Sequence, residues 1–123
     1  MQRRTFVWAI AAALQLAAAW AGSAMAAEIQ VGGAFEVKAN SIWFEDAAML
    51  AQWQGLRKRG NAKALTSYEE KALANREAWR FVNPLSVKVL GYQRDKQQVK
   101  VEMTTPGRLL GSTWFLDAGA LQR

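Results

Sequence analysis

The sequence predicts a small α+β domain, an antiparallel sheet with two short helices to one side, behind an N-terminal export signal. Three observations lead there. The stretch after Pro84 alternates apolar and polar residues, the period of a half-buried strand. Between Asp46 and Arg80, apolar residues recur at helical spacing in two segments. Residues 1–26 are composed unlike the rest: two arginines, then an apolar run.

That leader has the order that a secretion channel and its peptidase read. Arg3 and Arg4 supply positive charge, Phe6 to Ala21 is apolar apart from Gln15, and Ala24-Met25-Ala26 places small residues at −3 and −1 of a cleavage site before Ala27. The expectation is a cleaved signal peptide, residues 1–26, and a periplasmic or secreted domain, residues 27–123. An uncleaved anchor is the alternative, since the run is near the lower length limit for spanning hydrocarbon. No Cys follows the run, which excludes lipoprotein attachment. Arg3-Arg4-Thr5-Phe6-Val7 also resembles a twin-arginine signal, so both the general secretory and the twin-arginine routes stay open.

Ala27 to Phe44 reads as strand-rich. Ile29, Val31, Phe35 and Val37 keep odd spacing across Gly32-Gly33, and Ser41 to Phe44 extends the pattern. Asp46 is a cap for a helix from Ala47, whose face is Met49, Leu50, Trp53 and Leu56. Arg57-Lys58-Arg59 ends it against the helix dipole, and Gly60 stops it. Ser67-Tyr68-Glu69-Glu70 has the form of a capping box and predicts a second helix from Ser67 to about Arg80, ended by Asn83-Pro84. Leu85, Val87 and Val89 make the next strand, Arg94 to Gln97 a polar turn, and Val99, Val101 and Met103 another strand. Pro106-Gly107 is a turn, and Arg108 to Leu116 a third strand with Gly111 permitting a bulge.

Composition restricts the chemistry. The 97 residues after the leader make one domain. Their 14 Lys and Arg, two fewer than the whole chain's 16, against 10 Asp and Glu leave +4. Neither Cys nor His occurs. That excludes disulfides, Cys/His zinc sites, Ser-His-Asp triads, Cys-His nucleophiles and attached c-type haem within this chain. No calcium-loop motif and no glycine-rich phosphate loop is present, so no cofactor is implied.

The last third has a further character. Three short strands in succession, a tight turn between the second and third, and Phe115-Leu116-Asp117-Ala118-Gly119-Ala120-Leu121 at the end resemble the closing signature of bacterial SH3 domains. The resemblance covers about 40 residues. It implies a small SH3-like β-barrel or sheet in which Phe35 to Phe44 supplies the opening strand and the two helices are an insertion after it. Two family features are missing: Ala120 stands where a Tyr is usual, and the opening Asn-x-Arg-x-Gly-Pro motif is absent.

Aromatic residues are the most prominent candidates for function. Ten lie beyond the leader. Trp43-Phe44 and Trp114-Phe115 are neighbours on strands, so one member of each pair is expected to face outward. Trp43 and Trp114, with Arg108, are the candidate binding surface. Arg57, Lys58 and Arg59 are a second candidate, for phosphate or a lipid headgroup. Glu45-Asp46 and Glu69-Glu70 are carboxylate pairs explained by helix capping. The expectation is a non-enzymatic binding or accessory protein of the bacterial cell envelope whose partner is a protein or a wall component. A basic interfacial protein that meets anionic lipid or glycan is the alternative, and a small carboxylate-based enzyme the third. Export and a charge of only +4 disfavour nucleic acid, and a homodimer is compatible with so many aromatics.

Overall fold

The structure is a computed structural model that describes residues 28–123. The leader and its cleavage site lie outside the described residues. Among those residues, no helix is long and apolar enough to cross a membrane.

Seven strands and two helices form the domain. In chain order they are β1 (Ala34–Val37), β2 (Ile42–Phe44), α1 (Ala47–Arg59), α2 (Ala62–Ala74), β3 (Ala78–Arg80), β4 (Leu85–Gln93), β5 (Gln98–Met103), β6 (Thr113–Asp117) and β7 (Leu121–Gln122). The strands make one sheet in the order β3-β2-β6-β5-β4-β1-β7, and every pairing is antiparallel. The α+β class is therefore as expected. The sheet does not close into a barrel: β3 and β7 remain its edges.

The expected opening strand is in fact two. Asn40 takes a left-handed conformation (φ 66°), which Asn tolerates better than most residues. Its N–H donates to the Phe81 carbonyl at 2.7 Å. The break lets β1 pair with β4 and β7 while β2 crosses to β6 and β3.

Helix α1 is capped by Asp46, whose Oδ1 accepts from the N–H groups of Ala48 (2.6 Å) and Met49 (3.2 Å). Gly60 (φ 74°) ends it. Helix α2 starts earlier than the capping box suggests, because Asn61 offers a cap first: its Oδ1 accepts from Ala64 N–H at 3.0 Å. Ser67 is mid-helix. The helix also stops earlier. Arg76 adopts φ 60° and donates to Leu73, while Glu77 N–H returns to the Ala72 carbonyl at 2.9 Å. This is a Schellman closure without glycine. It releases Ala78–Arg80 to pair with β2, setting Trp79 opposite Trp43. Strand β6 begins only at Thr113, since Gly107 to Ser112 is spent on turns.

The core has two parts. Val37, Trp43, Val87, Val89, Val99, Val101, Trp114 and Leu116 pack inside the curl of the sheet. Ile42, Phe44, Leu50, Trp53, Ala72 and Ala78 pack between the sheet and the helices. Strand β2 serves both: its three residues are all buried, Trp43 on one face and Ile42 and Phe44 on the other.

Candidate functional site

That double burial overturns the expectation for the tryptophans. Trp43 is 1% and Trp114 4% exposed, so neither can present a binding surface. The helices cover one face of β2 and the curled sheet covers the other, so alternation along the strand leaves no outward position. Among the described residues, Trp79 is the tryptophan at the surface, 37% exposed.

Trp79 lies at a groove of about 370 Å³. One wall is Trp79 on β3 with Phe81 just beyond it. The other is Thr105 to Leu109, in the loop from β5 to β6. Leu85 and Met103, from the start of β4 and the end of β5, complete the lining. Beneath lies an edge-to-face aromatic cluster. Trp114 sits 6.0 Å from Trp43, 6.4 Å from Trp79 and 6.4 Å from Phe81 between ring centroids, and Trp43 is 5.2 Å from Phe81.

The loop wall is held in place by its own polar groups. Thr105 Oγ1 accepts from Ser86 N–H at 2.7 Å and donates to the Ser86 carbonyl at 3.2 Å. Trp114 Nε1–H donates to Ser112 Oγ (2.8 Å), which donates to the Leu109 carbonyl (2.6 Å). Gly111, at φ 87°, returns its N–H to the Met103 carbonyl at 2.9 Å. The buried core and the groove wall are thus joined through one indole N–H.

Among the described residues, four large apolar side chains are exposed: Trp79 lines the groove, and Val82 (72%) and Leu110 (59%) follow its lining residues Phe81 and Leu109 in the chain. Arg108 lines the groove and supplies the lining's one charge. The hydroxyl of Thr105 is already bonded to Ser86. Such a lining is suited to binding an apolar segment.

The other candidates lie elsewhere. Arg57, Lys58 and Arg59 are exposed on the last turn of α1 and line no part of this groove. Asp46 is the helix cap. Glu69, assigned to capping by sequence, instead accepts from Trp53 Nε1–H (2.7 Å) and pairs with Arg80 (3.3 Å). Tyr68 donates to the Met49 carbonyl at 3.3 Å. Burial, then the charges of Glu77 and Asp46, raise its hydroxyl above the ordinary value of 10.0. Among the described residues, no three acidic side chains gather to hold a metal ion. Sequence reasoning missed Trp79, Phe81, Leu85 and Leu109. The one available signal was Pro106-Gly107, a turn between two apolar strands.

The chain matches no protein-family model, no curated protein and no solved structure.

Proposed function

We propose that this chain is an exported, non-enzymatic binding or accessory protein of the bacterial cell envelope, holding an apolar segment of a partner protein in the groove between β3 and the β5–β6 loop. The observation that carries the reading is the groove itself. Its loop wall is fixed by internal hydrogen bonds, its lining is mostly apolar, and the exposed Trp79 forms part of it. A groove ordered before binding does not have to be ordered by its ligand, which favours affinity. Export rests on residues 1–26: charged start, apolar middle and small-x-small end.

An SH3-like arrangement is supported by the strand run β7-β1-β4-β5-β6. In it the first strand pairs with both the second and the last. A 3₁₀ turn, Ala118–Ala120, stands immediately before the final strand, within the segment that carries the sequence resemblance. The two helices, with β2 and β3, fall between the first two strands of that run.

The test is capture from solubilised envelope by the purified protein, at low and high salt. A protein partner seated on apolar surface stays bound at high salt. It is lost on Trp79→Ala or Leu109→Asp and kept on Arg57→Gln. Retention indifferent to Trp79 and Leu109 would overturn the reading.

A further inference from the structure

A second cavity, of about 280 Å³, lies between α1 and the turn that follows β6. Three cations reach it from three elements: Lys38 just after β1, Arg57 on α1 and Arg80 on β3. Two of them are held by carboxylates whose other bonds come from elsewhere. Asp117 Oδ1 accepts from Gln54 Nε2 at 2.7 Å, and its Oδ2 accepts from Gly119 N–H at 2.9 Å. Gln54 Oε1 in turn accepts from the buried Gln98 Nε2 at 3.1 Å. Arg57 Nη1 lies 3.6 Å from Asp117 Oδ2, close enough for attraction but beyond a hydrogen bond. Its guanidinium carbon sits 5.2 Å from the centre of the Trp53 ring. On the other side, Trp53 Nε1–H donates to Glu69, and Glu69 pairs with Arg80 at 3.3 Å. Arg80 Nε–H donates to the Asn40 carbonyl at 3.2 Å.

The result is an ordered but unspent set of donors. A guanidinium has five N–H groups. Among the described residues, those of Arg57 meet no acceptor within hydrogen-bond distance, and Lys38 has no acidic partner. With Glu69 counted beside Asp117, the cations still outnumber the acids by one. An adjoining groove shares Arg57, Asp117 and Gly119 and adds Lys58 and Lys96 against Asp95.

We infer that this cavity binds a phosphate group. A phosphodiester carries one negative charge and a monoester about one and a half to two, which matches the excess of cations. Cations from three elements suit a tetrahedral anion with three or four oxygens better than a planar carboxylate with two. Guanidinium meets phosphate through paired N–H donors. The phosphate is free in solution or is the headgroup of a lipid; the chemistry at the cavity is the same.

The experiment is an NMR titration of the purified protein with inorganic phosphate, against chloride at matched ionic strength. Saturable shifts are expected at the Trp53 indole N–H, the Arg57 Nε–H and the Gly119 amide. Arg57→Gln and Lys38→Gln should each weaken binding about tenfold or more, the scale of one charge-assisted hydrogen bond. Lys88→Gln, on exposed β4 surface, and Trp79→Ala, in the apolar groove, should leave it unchanged, so this site stands or falls apart from the groove. A second arm uses phosphatidylcholine vesicles with and without phosphatidic acid. Co-sedimentation with the acidic vesicles only assigns the lipid source, and phosphate binding without it assigns a soluble one. Shifts that chloride reproduces, that never saturate, or that survive Arg57→Gln would overturn the inference.

Discussion

Replacing Trp43 with Ala tests whether β2 is buried on both faces. The indole is 1% exposed and meets Phe81 and Trp114 edge-on at 5.2 and 6.0 Å. A buried Trp removes roughly 150–250 Å² from water, about 4–6 kcal/mol at ~25 cal/mol/Å². Aromatic-to-Ala changes in cores cost about 3–5 kcal/mol. A domain of this size has about 5–14 kcal/mol in total, so the loss is a large share. In a urea titration followed by far-ultraviolet circular dichroism, the midpoint should fall by roughly 2–3 M at an m-value of about 1.5 kcal/mol/M. Should the variant not fold at all, Trp43→Leu gives the smaller, measurable loss. Trp79→Ala, from a position more than a third exposed, should lose about 2 kcal/mol and keep its fold. A loss below about 1 kcal/mol for Trp43→Ala would refute the reasoning. It would place the indole outward, as strand alternation alone predicts.

Three other substitutions probe parts of the scaffold. Asp46→Ala removes the acceptor for Ala48 and Met49 and should cost about 0.5–2 kcal/mol, read from the same urea titration. Gln54→Leu leaves the buried Gln98 Nε2 without its acceptor and should cost about 1–3 kcal/mol, more than an exposed polar change does. Tyr68→Phe should alter the alkaline limb of stability. The folded state raises the Tyr68 pKa above 10.0, so it holds the proton more tightly than the unfolded chain. That contribution is whole below the ordinary pKa and is lost as pH rises through the folded one. The stability of wild type relative to the variant should therefore fall as pH rises above about 10.

Much of the scaffold was legible because its signals are local. Asp46 and Gly60 bracket α1, and the alternation of Leu85-Val87-Val89 and Val99-Val101-Met103 gives two paired strands. The errors arose where the decisive contact is distant. Arg76 closes α2 in a left-handed conformation that the sequence signals only when Gly or Asn stands there. Trp79 has helical spacing from Tyr68 and Ala72, yet pairing with Trp43 draws it into a strand. Asn40 divides one apparent strand into two, and the partners of each half lie far along the chain. The site suffered most. Alternation assigns one face of β2 to solvent, but α1 and α2 return to cover it, and only the tertiary fold shows that. Trp43 and Trp114 lie in the buried cluster beneath a groove whose surface is Trp79 and the Thr105–Leu109 loop. Arg108, beside the Pro106-Gly107 turn, lies on the groove's loop wall.

The most direct test of a partner in the groove is photo-crosslinking in the producing cells. A benzophenone amino acid would replace Leu110 or Val82, exposed residues that follow the groove residues Leu109 and Phe81 in the chain and serve as rim positions, and Lys88, exposed on β4 and outside the groove lining, as the control. The account predicts one discrete adduct of the same mass from both rim positions, none from Lys88, and its disappearance when Trp79→Ala is added. No adduct from either rim position, or the same adduct from Lys88, would contradict it.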